Sequence, residues 1–230
     1  MQHSKLDNVI WHSLQGPHHV LANSLGELSW YPPGIAPFFA VPAAEVVPDL
    51  DGASEHGWRA PAYVTGIVPD VLPVGWRYSS RSQILQMLPA ALEIPAIDEH
   101  DIVALGDGDR PKMLALAQAA FPDFFRERTA ELGQYLGVFA GANLIAMAGE
   151  RLALDGMQEI SGVCTHPDFV GRGYARRLTL ALMHRHRRRG VASFLHVSEG
   201  NTVARRLYES MGLVVRASLI MGKVERENPT

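Results

Sequence analysis

Residues Glu159–Ala175 read EISGVCTHPDFVGRGYA, and this stretch decides the fold. Glu159–Thr165 has the apolar, β-branched character of a strand. The chain then passes through His166–Pro167 into Gly171-Arg172-Gly173, and a helical pattern begins at Tyr174. Glycines at 171 and 173 let backbone approach a ligand with no side chain in the way. A helix start directs unpaired N–H groups at the same space. Strand, two-glycine turn and helix together predict a pocket for a phosphate or pyrophosphate. Arg172 is placed to add a charge-assisted bond, worth about 1.5–3 kcal/mol. Neither GxxxxGK[ST] nor GxGxxG with an acidic residue about 20 positions on is present, which argues against a P-loop kinase or a dinucleotide dehydrogenase.

The pattern continues on both sides. Upstream the sequence predicts a strand at Ile102–Leu105, a helix from Pro111 to Ala120 and a short helix at Phe124–Leu132. Strands follow at Gln134–Ala140 and Leu144–Leu154, joined by a hairpin turn at 141–143, and then at Met157–Thr165. Downstream, the helix from Tyr174 runs to Arg189. A strand at Ala192–Val197, a helix at Asn201–Met211 and a strand region at Leu213–Val224 complete the chain. The order βααβββαβαβ predicts an α/β (α+β) fold with a mixed sheet flanked by helices.

The 230 residues are 47% apolar and 20% charged with a mean hydropathy of zero, which excludes disordered, collagen-like and coiled-coil classes. A net charge of −3 gives no general attraction to nucleic acid or anionic membrane. Cys164 is the single cysteine, so a reducing compartment is expected. No apolar run has the length of a signal peptide or a membrane span, and the expectation is a cytoplasmic protein.

The averages conceal a division. Residues 1–98 hold 11 of the 15 prolines and all four tryptophans, with four basic against nine acidic residues. Residues 99–230 hold 17 basic and 15 acidic residues. This predicts two domains, 1–98 and 99–230, with a connector near Pro89–His100. The first reads as a short helix at His18–Leu25 and strands at Ala60–Val68 and Gln83–Leu88. His3, His12, His18 and His19 match no metal-site spacing, so no metal is expected. The basic run Arg185–Arg189 reads as a solvated helix end suited to the helix dipole.

Two motifs carry a resemblance to a known family. The sequence Val170-Gly171-Arg172-Gly173-Tyr174-Ala175 resembles the R/Q-x-x-G-x-G/A motif of the GNAT superfamily of N-acetyltransferases. Val170 departs from it, standing where Arg or Gln is usual. Asn201–Leu213, NTVARRLYESMGL, resembles the family's N-x-x-A-x-x-L/F-Y-x-x-x-G-F/L signature. The resemblance covers about residues 99–230. It implies a mixed, mostly antiparallel central sheet flanked by helices, acetyl-CoA as co-substrate, and a small-molecule or peptide amine as acceptor. Some members carry a second, degenerate acyltransferase-like domain, and residues 1–98 are a candidate for one.

Roles follow on these positions. With pyrophosphate at 170–175, a pantetheine arm runs beside Val163, Cys164 and Thr165, and the thioester lies back toward Glu159, about 20 Å of strand away. The Cys164 thiol itself reads as a buried strand residue. Glu159 precedes Val170 by 11 residues, as the base glutamate does in the histone-acetylating members. Making an alkylammonium nucleophilic at pH 7 costs about 4–5 kcal/mol, and a carboxylate base is the usual device. Glu150 on the adjacent strand is the competing candidate. Tyr208 lies on the inward stripe Ala204, Leu207, Tyr208, Met211, where a phenol can protonate the leaving thiolate. Asn201 is placed both to cap its helix and to reach pantetheine. The reading from a different class is a non-catalytic acyl-CoA-binding regulator or scaffold.

Overall fold

The computed structural model describes residues 5–90, 93–120 and 124–227. His3 lies outside the described residues. Two compact units divide the chain after Ile84, not near residue 98. The first also takes Leu152–Asp155 and the chain from Ser218 on; the second holds Leu85–Arg151 and Gly156–Ala217. Composition registers a change along the chain, whereas three-dimensional packing returns two distant C-terminal segments to the first unit.

In the first unit α1 (Val9–Leu14) is followed by a small antiparallel sheet of β1 (Asn23–Leu25), β2 (Leu28–Trp30) and β3 (Phe39–Ala40). The helix expected at His18–Leu25 is a 3-10 turn at His19–Leu21 running into β1. The two-residue turn at Gly26, φ +57°, folds this segment back on β2, so sheet pairing overrides local propensity. Asp49 accepts the Gly52 N–H at 2.9 Å and caps α2 (Leu50–Glu55). β4 (Ala62–Thr65) pairs antiparallel with Met221–Val224. Trp30, Phe39, Trp58 and Trp76 form the core, the Trp58 ring edge-on to Phe39 and 5.2 Å from Trp76. His18 is buried in a hydrogen-bonded cluster with Ser13 and Tyr31. Among the described residues no group of three His, Cys, Asp or Glu side chains is placed to hold a metal.

The second unit carries the sheet order β5-β10-β9-β8-β7-β6. Its strands are the end of β5 (Trp76–Pro89), β6 (Val103–Leu105), β7 (Tyr135–Ala140), β8 (Asn143–Leu154), β9 (Met157–Thr165) and β10 (Ala192–Ser198). Helix α3 (Arg110–Ala120) lies on one face, where Met113, Leu116 and Ala117 pack with Tyr135, Met147 and Cys164. Helix α4 (Tyr174–Arg188) covers the other, packing Leu178 and Leu182 with Leu136, Val138, Ile160 and Leu195. Period-2 alternation sorts these side chains, Tyr135 to the α3 face and Leu136 to the α4 face. Helix α5 (Thr202–Glu209) adds Tyr208 to the α4-side core, and β11 (Leu213–Arg226) follows. The helix expected at Phe124–Leu132 shrinks to a 3-10 turn at Thr129–Leu132. No described helix is long and apolar enough to cross a membrane.

The stretch expected as a connector is tied down. Arg177 on α4 donates to the Asp98 carbonyl and pairs with Asp101, His184 contacts the Pro95 carbonyl at 3.0 Å, and Ile94 and Ile97 pack on the core.

Candidate active site

Strand β9 ends at Thr165, a 3-10 turn spans Pro167–Phe169, and Gly171 and Gly173 adopt φ of +76° and +80°. A Cβ at either glycine would meet nothing within 4 Å, so both face open space. Gly173 is the N-cap of α4 and offers no side chain to its first N–H groups. Arg172 stacks over the Phe169 ring at 4.9 Å and reaches the Asp168 carbonyl at 3.4 Å; Val170 is exposed. The Val170 N–H turns back to the Pro167 carbonyl, and the two open glycines stand at the head of a 15-residue helix, whose first N–H groups have no intrahelical partner.

The loop stands at the end of an opening in the sheet. β9 and β10 pair in parallel from Met157 opposite Ala192 to Ile160 opposite Leu195. Residues 161–165 and 196–198 run on past the end of that register. Gly162, at φ +60°, makes the irregularity in β9, and the Tyr135 ring lies 3.1 Å from where its Cβ would be. Val163 and Thr165 are partly buried along this edge. The Cys164 side chain points instead into the core under α3, and burial pushes its thiol up to about 12. Only its backbone can line the opening.

Glu159 is fully buried in an ion pair. Arg151 binds both carboxylate oxygens, at 2.9 and 2.6 Å, and His196 Nδ1 lies 2.7 Å from Oε1. Burial pushes its pKa up, but the attraction of Arg151 and the bonds from Arg151 and His196 outweigh it and hold the carboxyl at about 2. Such a carboxylate is a weak proton acceptor, and the direct-base role expected for Glu159 does not suit this geometry.

Glu150 points to the opposite face, since β8 alternates. It accepts the Gln134 N–H at 3.1 Å, contacts His186 Nε2 at 3.1 Å and pairs with Arg189. Burial raises its pKa, but those three bonds lower it further, so Glu150 ties the end of α4 to the sheet.

Tyr208 is buried among Leu178, Val197 and Met211, and burial raises its phenol to about 12. It therefore stays protonated at neutral pH, as a proton donor must. Asn201 Oδ1 accepts the Ala204 N–H at 3.0 Å, which engages its oxygen as an N-cap and leaves its amide NH2 for a ligand. Sequence reasoning overlooked Arg151, His196 and Gln86. Gln86 Nε2 lies 3.0 Å from His196 Nε2, and Arg216 donates to Gln86 Oε1 at 3.0 Å. Strand parity across the β8–β9 hairpin was the available signal for Arg151; His196 and Gln86 come from strands far apart in sequence.

A family model described as FR47-like protein matches residues 135–219. A crystal structure from Novosphingobium aromaticivorans, described as a putative acetyltransferase from the GNAT family, is 33% identical; the alignment covers 97% of this chain and 99% of that one, with a TM-score of 0.86. The chain belongs to the GNAT family. A GCN5-related N-acetyltransferase-like protein from Streptococcus suis, 13% identical over 97% of each chain, shares the fold at a TM-score of 0.58. A [ribosomal protein bS18]-alanine N-acetyltransferase from Haemophilus ducreyi is 35% identical over 71 residues, 30% of this chain and 48% of the relative. The chain thus matches about half the length of that curated relative. The family's sheet flanked by helices is the one found here.

Proposed function

We propose that this GNAT chain transfers an acetyl group from acetyl-CoA to a primary amine by direct attack, in the cytoplasm. The observation that carries the reading is the open loop at Gly171 and Gly173, at the head of α4 and at the end of the gap between β9 and β10. Pyrophosphate binds the N–H groups of Gly171–Ala175 beside Val170, and pantetheine lies along Val163–Thr165, reached by the Asn201 amide. Tyr208 protonates the departing thiolate. No metal is needed for this chemistry. A single, buried thiol suits a reducing compartment. The Haemophilus relative is named for acetylating the alanine of a ribosomal protein, so a peptide with an N-terminal alanine is the first acceptor to test, beside a pool of small amines. The assay is release of CoA from acetyl-CoA, and a chain that binds CoA but acylates nothing is a binding module.

Acetyl-CoA and CoA are expected to raise the melting temperature to nearly the same extent, because they share the pyrophosphate. A ligand at 100 times its dissociation constant adds about 2.7 kcal/mol. No shift at millimolar acetyl-CoA removes the cofactor assignment.

Gly173→Val is expected to weaken CoA binding roughly tenfold or more, measured by calorimetry. A β-branched residue at φ +80° is strained by about 1–3 kcal/mol, and the loop relieves that strain by turning its N–H groups away. Equal affinity in variant and parent means the loop is only a turn.

A further inference from the structure

We propose that His196 is the group that takes the proton from the attacking amine, and that Glu159 and Arg151 are positioning residues that hold its ring. The proposal rests on the acyl-transfer reading above.

Position comes first. His196 is the first residue of β10 beyond the last parallel pair, Leu195 opposite Ile160, so it stands where the two strands cease to be registered. Glu159 lies inside the paired segment, opposite Phe194. Of the two hydrogen-bonded side chains, the imidazole is nearer the opening.

Hydrogen bonding then sets the tautomer. Arg216 can only donate, so the Gln86 atom it meets is the carbonyl oxygen. The Gln86 amide NH2 therefore faces His196 Nε2, which must accept. Nδ1 carries the hydrogen and donates it to Glu159. The lone pair at Nε2 is met, among the described residues, by an uncharged amide that an incoming N–H group can replace.

Arg151 binds both oxygens of Glu159, so the carboxylate that orients Nδ1 is itself held in place. Glu159 from β9, Arg151 from β8, Gln86 from β5, Arg216 from β11 behind Gln86, and the uncharged Phe194 ring 5.8 Å away on β10 are the groups facing this imidazole. Imidazole is also the side chain that ordinarily titrates nearest neutral pH. In the step itself the amine nitrogen bonds to the thioester carbonyl carbon, the C–S bond breaks, the nitrogen's proton passes to His196 Nε2, and the thiolate takes the Tyr208 proton.

The test is a set of pH–rate profiles between pH 6 and 10, with the alanine-terminated peptide or the best amine from the pool as acceptor. His196→Asn places an amide nitrogen near the position of Nδ1 and keeps a donor for Glu159. Its kcat is expected to fall roughly 10²–10⁴-fold at pH 7, with the loss shrinking as pH rises and the amine deprotonates unaided. KM for acetyl-CoA should not change. Glu159→Gln still accepts from Nδ1, so its loss is smaller, but the acid limb moves to lower pH because the carboxylate no longer supports the imidazolium. Gln86→Glu acts in the opposite sense, moving the limb to higher pH, and serves if His196→Asn does not fold. A CoA-induced rise in melting temperature checks the fold of each variant. A folded His196→Asn with the parent's rate and profile overturns the proposal, as does a Glu159→Gln variant whose acid limb vanishes. A parent chain that binds CoA and acylates nothing overturns the acyl-transfer reading instead.

Discussion

Arg151→Met is expected to destabilise the chain by about 3–5 kcal/mol at pH 7, because it leaves a buried carboxylate without its counter-charge. Methionine keeps most of the side-chain volume, so the loss is chiefly electrostatic. The pH dependence identifies the cause. In the parent, Glu159 is held at about 2, below its ordinary 4.5. Its pairing therefore stabilises the fold above pH 4.5, and that contribution disappears as pH falls toward 2. In the variant, burial acts unopposed by the guanidinium and raises the carboxyl, so the variant gains from acid what the parent loses. Urea unfolding at pH 7 and pH 4 should show the gap closing at the lower pH. The double variant Arg151→Met with Glu159→Gln should recover more than half of the lost stability at pH 7. A gap of equal size at both pH values would mean that lost packing, not a stranded charge, is responsible.

Tyr208→Phe is expected to lower kcat roughly 10²–10⁴-fold with little effect on stability or on acetyl-CoA binding. The ring remains on the buried face of α5, and one hydrogen bond nets only about 0.5–1.5 kcal/mol. Because burial keeps the phenol protonated up to about 12, the parent retains its acid throughout a pH 6–10 assay. High pH therefore gives the variant no relief, since the thiolate still leaves unprotonated. This separates Tyr208 from His196, whose replacement is rescued by alkali. A Tyr208→Phe variant with full turnover assigns the phenol to packing alone.

The second unit was legible because its signals are local. Two glycines before a helix, a hairpin turn at 141–142 and the stripe of α5 each fix an element from neighbouring residues, and Met157–Thr165 falls on β9. The first unit was not, because β1 to β4 are only two to four residues long and depend on partners such as Met221–Val224. The position of Glu159 on β9 was likewise readable, while its chemistry was not. An acidic residue on a strand looks the same whether it faces a substrate or an arginine. What decides the matter, Arg151 and His196, arrives from two other strands. Cys164 shows the same limit, since the irregularity at Gly162 decides which face its thiol takes.

Helix α4 is anchored near both ends, by Asp98 and Asp101 at Arg177 and by Glu150 through His186 and Arg189. It behaves as a rigid strut whose N-terminus is aimed before any ligand arrives. Ordering one backbone residue costs about 1–2 kcal/mol, so a loop that had to freeze on contact would weaken its own affinity. Here that ordering belongs to folding, in a stretch of chain, 93–101, that never touches the opening between β9 and β10 through any bond described. If the loop holds pyrophosphate as proposed, the segment that reads as a spacer between domains is part of how tightly it does so.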